Sequence, residues 1–327
     1  MARSFASTAA LLNATLPIGT EEFFMSFITL VTGASSGFGR MIANELAGRG
    51  HIAYASMRDL SGKNAKQITD IASFAKTHNV DLRSIELDVQ SEESIALAIR
   101  SIIHEHKRLD VLVHNAGHMV YGPSEAFTAE QLAQMYDINV LGSQRVNRAV
   151  LPHMRAAKSG LLVWISSTSV AGGVPPLLGP YFAAKAGMDA LAVCYGKELA
   201  PLGIDTAIVV PGAFTTGTHH FENAGHPEDE KTAKAYQAAW TPGFADNVKN
   251  ALAKTVPPDA DPSVVGKIVA DIVDTAVGKR PYRVFVDPAD DGAAVSFPVI
   301  DRVRSQFLQR IGFAELLHPA GLQTKGS

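Results

Sequence analysis

The sequence predicts a doubly wound α/β fold, a parallel sheet with helices on both faces. Three observations carry that prediction. Short unbroken apolar runs recur along the chain, amphipathic stretches separate them, and a glycine-rich turn joins the first run to the first helical stretch. With 327 residues, 46% hydrophobic and 19% charged, the chain can bury a large core and lacks a disordered composition. Its 29 basic and 32 acidic residues leave a net charge of −3, without the basic balance of a general nucleic-acid or anionic-membrane binder. No apolar stretch reaches the roughly 18 residues of a membrane-spanning helix. The single cysteine, Cys194, cannot close an internal disulfide or build a cysteine-rich zinc site, and reads as a packed helix residue. The expected setting is cytoplasmic, with no nucleic-acid and no membrane partner.

The elements follow in order. Residues 1–26 stand apart as a leader: Arg3 precedes Glu21 and Glu22, and Asn13 interrupts the apolar centre. They read as a weak targeting segment or an extended start, with Met25 as a candidate translation start. From residue 27, FITLV is an apolar run of the kind a strand shows when buried on both faces. A helical stretch over 38–49 and the strand HIAYASM come next. Across 92–106, Ile95, Ile99, Ile102 and Ile103 fall on one helical stripe. VLVHNAG, LLVWISS and IDTAIVV continue as strands with helical stretches between them. Residues 213–262, richer in Gly, Pro and His, break the rhythm and predict an insertion on the substrate side. RVFVDP is the expected last strand, closing a single domain over 27–290. In the extension 291–327, Val299, Val303, Phe307, Leu308 and Ile311 recur at amphipathic spacing, which predicts a docking helix.

The turn between the first strand and first helix runs from Thr32 to Gly39. Glycines let it turn sharply and bring backbone against a pyrophosphate. N–H groups at the helix start, helped by its dipole, then face the phosphates. In this setting Gly33, Ser35, Ser36, Gly37, Phe38 and Gly39 predict a dinucleotide site. At the end of the second strand an acid would bond the ribose hydroxyls and select NAD. Met57 and Arg58 stand there instead. A guanidinium pairs bidentately with a 2′-phosphate and stacks on adenine, so Arg58 points to NADP(H). Asp59 keeps NAD(H) open if the register slips, and an Arg58–Asp59 surface pair is the bland alternative.

Tyr181 and Lys185 are four apart and share one face of a helix. A phenol with a pKa of about 10 exchanges protons poorly near neutrality. A nearby ammonium lowers that value by favouring the phenolate. Metal chemistry has little support. His104 and His106 are two apart and point to different helix faces, while DPADDG has Ala289 and Pro298 where a calcium loop needs ligands.

The TGxxxGxG spacing is followed, in order, by Asp88-Val89, Asn115-Ala116-Gly117, Asn139, Ser166-Ser167, Tyr181-x-x-x-Lys185 and Pro211-Gly212. Together they resemble the short-chain dehydrogenase/reductase family over residues 27–290. RPYRVFVDP and the MRD strand end are similar to its steroid- and retinol-dehydrogenase branch. The resemblance implies a Rossmann-like domain and hydride exchange between NADP(H) and a small-molecule carbonyl or secondary alcohol. Tyr181 would be the general acid/base, with Lys185 beside it and a relay water held next to Asn139. The oxygen-binding hydroxyl would be Ser167, 14 residues before the tyrosine and one more than usual; Thr168 and Ser169 stay open. Asp88 and Val89 would flank the adenine. Asn115, Ala116 and Gly117 would wall its ribose, with His114 where the family often has Asn. Pro211, Gly212, Phe214 and Thr216 would line the nicotinamide, which Tyr181 and Lys185 also approach. The substrate pocket would be largely apolar, with Val174, Pro175, Pro176, Leu177, Leu178, Phe214, Phe221 and Trp240 as its candidates and His118 as a polar contact. A homodimer or homotetramer would form through helices near 128–154 and 181–201. A non-catalytic NADP(H) sensor or scaffold, and an epimerase or dehydratase, are the other readings.

Overall fold

The computed structural model describes residues 26–218 and 221–318, so the expected leader lies, apart from Ser26, outside the described residues. The chain begins β1 (Ile28–Val31), α1 (Gly37–Gly48), β2 (Ile52–Met57), α2 (Ala65–His78), β3 (Leu82–Glu86), α3 (Glu92–His106) and β4 (Val111–His114). It continues through α4 (Ala129–Tyr136), a π turn (Asp137–Leu141), α5 (Gly142–Ala157), β5 (Gly160–Ile165), α6 (Gly179–Leu199) and β6 (Ile204–Pro211). Then come α7 (Glu230–Ala239), α8 (Phe244–Thr255), α9 (Ser263–Asp274), β7 (Arg283–Val286) and α10 (Ala293–Arg310). Among the described residues the strands form one parallel sheet in the order β3-β2-β1-β4-β5-β6-β7.

The apolar runs become strands because both of their faces are covered. Ile28, Leu30, Leu112, Leu162 and Trp164 pack against α3, α5 and α6. Val31, Val113, Val163 and Val209 pack against α1, α2 and α9 on the other side. Each such aliphatic side chain contributes about 1.5–3 kcal/mol on full burial. The helix over 92–106 is the clearest amphipathic case. Ser91 caps it by accepting from the Ser94 N–H at 3.2 Å, and Glu92 and Glu93 oppose the positive end of its dipole. Its Ile95, Ile99 and Ile102 are buried as the stripe requires.

The chain reverses its progress across the sheet at β1, whose neighbours are β2 and β4. The loops after β1 and β4 therefore part at the carboxyl end and leave a crevice, where open α/β sheets bind ligands. Residues 213–262 supply α7 and α8, neither of which buries a side chain. A bridge between Val120 and Gly225 ties the start of that segment to the loop after β4.

Two expectations are corrected. The segment 293–310 is a helix, but its amphipathic stripe faces outward. Val299, Val303, Phe307 and Ile311 are 48–57% exposed, and of the expected residues only Leu308 is buried. The helix is seated instead by Ala293 and Phe297, and by Asp301 bonded to Arg283 of β7. Cys194 is exposed on α6 rather than packed.

Candidate active site

The crevice is built on one hydroxyl. Thr32 donates its Oγ1–H to the Val113 carbonyl at 3.1 Å and accepts from the N–H groups of Asn115 and Ala116 at 3.0 and 3.1 Å. Asn115 Nδ2 donates back to the carbonyls of Thr32 and Gly33 at 2.9 and 3.0 Å. The loops after β1 and β4 are thus stapled together. Gly33 has φ +65°, and a Cβ there would lie 2.7 Å from Ala116 Cα. A Cβ on Gly39 would lie 2.4 Å from Asn115 Nδ2 and 2.5 Å from the Gly33 carbonyl. Both positions require glycine, for conformation or for space. Arg40 clamps the loop from behind, donating to the carbonyls of Ala34, Ser35 and Gln67 at 3.1, 3.4 and 3.3 Å. Ser36 is the N-cap of α1 but makes no side-chain cap bond. The start of α1 borders a cleft of about 430 Å³ lined by Gly33, Ser35, Ser36, Gly37 and Phe38. A helix start beside a cleft is suited to an anion, because its first N–H groups have no partner within the helix.

The same cleft takes in Arg58, Asp88, Val89, Asn115, Ala116, Gly117 and His118. Arg58 does not pair with Asp59: that carboxylate turns into its own loop, accepting from the Lys63 N–H at 2.8 Å. Lys63 also lines the cleft, a second cation that the sequence reading missed. A search extended from the strand end to the next helix start would have met it. His114 is corrected. Its ring faces the core, with Nε2 at 2.7 Å from Asn147 Oδ1 and the ring 4.2 Å from that of Trp164. Burial pushes it down to about 4.

A smaller pocket of about 100 Å³ shares Phe38, Asn115, Gly117, His118 and Met119 with the cleft and continues from it. Ser167, Tyr181, Lys185, Pro211 and Gly212 line it. Tyr181 and Lys185 come from the first turns of α6, and Ser167 from the loop that ends β5. Thr168 is buried and absent from that lining, as is Ser169. Burial pushes the Tyr181 phenol up to about 12, opposed by the Ser167 hydroxyl. Burial likewise brings Lys185 down to about 8, opposed by Asp189. The expected lowering of the phenol by the ammonium is therefore not what this structure has. Lys185 Nζ instead donates to the Ile165 carbonyl at 2.9 Å. Asn139 is buried in the π turn, donating to the carbonyls of His118 and Met135 at 3.2 and 2.9 Å and accepting from the His118 N–H at 3.2 Å. His118 is held below the usual histidine range, chiefly by burial and then by Arg58 and Lys63.

The substrate-side expectations fare unevenly. Val174 is 75% exposed, away from the pocket, while Leu177 and Leu178 are buried in packing. Phe214 and Thr216 do not line the cleft or the small pocket. They line a separate hollow of about 410 Å³ with Phe221, Leu252 and Val256. Phe214 meets the site through its edge-on contact with Phe38, ring centres 5.5 Å apart, and through its carbonyl, which accepts from Thr218 Oγ1 at 3.4 Å. Thr218 and Asn223, which sequence reasoning passed over, reach the cleft instead. No group of His, Cys, Asp and Glu among the described residues is arranged to hold a metal ion.

The family model described as short chain dehydrogenase matches residues 28–227. A 3-ketodihydrosphingosine reductase of Bacteroides thetaiotaomicron is 35% identical over 190 residues, 58% of this chain and 65% of that protein. The chain thus spans less than two thirds of that relative's length. A short-chain dehydrogenase of Streptomyces avermitilis superposes with TM-score 0.67 at 28% identity, over 88% of this chain and 98% of the other. A variant of actinorhodin polyketide ketoreductase, solved with NADPH, superposes with TM-score 0.64 at 25% identity, over 80% and 95%. The sheet order, the loop stapled by Thr32 and the match from β1 past β6 agree: the chain belongs to the short-chain dehydrogenase family.

Proposed function

We propose that the protein is an NADP(H)-dependent oxidoreductase that interconverts a carbonyl and a secondary alcohol on a largely apolar small molecule. The observation that carries this reading is the convergence of Ser167, Tyr181 and Lys185 in one pocket continuous with an anion-binding cleft. The fit of the nucleotide rests on the Gly33 to Gly39 turn, where a Cβ on Gly33 or Gly39 would strike Ala116 or Asn115 of the neighbouring loop, and on two cations. Arg58 and Lys63 at the cleft wall, with Met57 where an acid would repel a phosphate, favour the 2′-phosphorylated form. Asp88, Val89 and Asn115 to Gly117 would hold the adenosine half, Pro211 and Gly212 the nicotinamide end. When bound, the reduced nicotinamide supplies two electrons and a hydrogen to the carbonyl carbon.

The side chains then handle the oxygen. A phenol near 12 is protonated at neutral pH, so Tyr181 enters reduction as the proton donor. Ser167 bonds the same oxygen and stabilises charge developing on it. Lys185, near 8, stands ready to return a proton to the tyrosine at physiological pH. Asn139 fixes the wall that carries His118. The exposed Ala183, Ala186 and Ala190 of α6, beside Leu132 and Tyr136 of α4, offer the face on which a homodimer or homotetramer would form. No described helix is long and apolar enough to cross a membrane, and a cytoplasmic location is part of the proposal.

The test is NADPH consumption against a panel of ketones, aldehydes and quinones, with Tyr181→Phe as control. We expect turnover to fall at least about 100-fold in the variant, with NADPH affinity kept within about twofold. Equal turnover in the two proteins removes the tyrosine from the mechanism. Silence of the native protein across the panel, with NADPH bound, favours a sensor.

A further inference from the structure

Three consecutive residues at the end of β5 are held by α6. The Ile165 carbonyl accepts from Lys185, Ser166 Oγ donates to Asp189 Oδ1 at 2.8 Å, and Ser167 faces the pocket. Asp189 lies one turn beyond Lys185 and is 1% exposed. A buried carboxylate needs a partner. It has Arg283 of β7, whose Nη1 donates at 2.7 Å and Nη2 at 3.3 Å. Arg283 also donates through Nε to Asp301 of α10 at 2.7 Å, and its guanidinium lies 4.0 Å from the ring centre of Phe297. Two carboxylates share Arg283, and Arg304 lies 3.5 Å from Asp301 at the outer end, so the negative charge acting on the Lys185 ammonium is that of Asp189. Arg283 and Asp301 both lie beyond the stretch that the family model matches.

We propose that Asp189 is a positioning residue for the reaction, and that the buried chain Ser166–Asp189–Arg283–Asp301 couples the C-terminal helix α10 to the serine and lysine of the pocket. The proposal rests on the oxidoreductase reading for its catalytic meaning, while the coupling itself is a property of the protein alone. Through Ser166 the carboxylate fixes the register of Ser167. Through its charge it favours the protonated lysine, and Asp301 tunes that charge by neutralising Arg283. The other charged or titratable groups turned toward this cluster and its lysine are Tyr181 and His118, which line the pocket with Lys185, Tyr282 beside Arg283, and Arg304 at 3.5 Å from Asp301. A role confined to seating α10 would need the ion pairs but not the bond to Ser166.

The experiment titrates Lys185 by carbon-13 NMR of labelled lysine, its signal identified by loss in Lys185→Met, alongside the pH profile of NADPH-dependent turnover. Asp189→Asn is expected to lower the lysine midpoint by about one pH unit and kcat by about tenfold, with KM for NADPH within about twofold. Asp301→Asn, remote from the pocket and leaving a balanced Asp189–Arg283 pair, should move the midpoint the same way by about half as much. If Asp189→Asn does not fold, Asp301→Asn decides. An unmoved midpoint and alkaline limb in the folded variants overturn the coupling and leave a structural anchor. A moved midpoint in a protein that turns nothing over upholds the coupling and overturns the oxidoreductase reading instead.

Discussion

In the cleft between the β1 and β4 loops the working atoms are main-chain N–H groups, held by a threonine, an asparagine and glycines that leave no room for a Cβ. In the pocket between β5 and β6 they are side chains whose proton affinities are set by burial, opposed by Ser167 and by Asp189, a carboxylate that Arg283 of β7 holds. The glycine turn of the first region reads as a local string of residues, although the loop that staples it lies more than 80 positions downstream. In the second, the buried Asp189 is held by Arg283, 94 positions downstream. Backbone recognition is therefore insensitive to most side-chain changes and intolerant of a few, whereas the pocket should respond in degrees.

The largest effect belongs to the first region. Gly39→Ala places a Cβ against Asn115 Nδ2 and the Gly33 carbonyl, the very atoms that staple the two loops. Relief requires the loop to shift, and overpacking of this kind costs about 1–3 kcal/mol or more. We expect NADPH and NADH binding to weaken together by about 100-fold in fluorescence titrations. Arg58→Ala should split them, weakening NADPH by about 10–100-fold and NADH hardly at all, since a charge-assisted contact is worth about 1.5–3 kcal/mol. Equal loss of both nucleotides in Arg58→Ala removes the arginine from phosphate recognition.

How much the sequence disclosed follows the same division. The strands were legible because sheets covered on both faces demand continuous apolar runs, and FITLV, LLVWISS and IDTAIVV have no other use. The glycine turn was legible because its chemistry is local. Lys63 and Thr218 were missed because each reaches the cleft from a loop whose path the sequence does not define. Val174 was misplaced for the converse reason: an apolar residue in a loop beside the site need not point into it. Asp189 was passed over because its ion pair is with Arg283, which is shared with Asp301, 94 and 112 positions away. Nothing in a helical KAGMD tells that this aspartate is buried and paired.

A smaller effect separates cleft from core at a single strand end. His114 precedes the Asn115 to Gly117 wall but turns inward to Asn147 and Trp164, so it should affect stability and not the nucleotide. Its folded value of about 4 lies below its unfolded value of about 6.5. The unfolded chain then binds more protons between these values, so stability is fully present above about 6.5 and is lost as pH falls toward 4. Between pH 7 and pH 5 the loss from this residue is about 2 kcal/mol. In denaturant titrations His114→Gln should narrow its stability gap from the native protein by that amount over the interval. A constant gap means that the ring is protonated in place.

The smallest effect contrasts two stripes that look alike in sequence. Ile95, Ile99 and Ile102 of α3 and Val299, Val303 and Phe307 of α10 each recur at three- or four-residue helical spacing, yet the first set is buried and the second is about half exposed. Periodicity defines a face but not what covers it; α3 lies against the sheet, while α10 is seated through Phe297 and the Arg283–Asp301 pair. Ile102→Val removes one methylene from a fully enclosed site and should cost about 1 kcal/mol. Val303→Thr exchanges a methyl for a hydroxyl in contact with solvent, with side-chain shape conserved, and should stay within about 0.5 kcal/mol. Denaturant midpoints over a range of protein concentrations measure both. A loss from Val303→Thr that matches Ile102→Val, and that disappears on dilution, means another molecule covers the α10 stripe and that the two helices differ only in which chain supplies the cover.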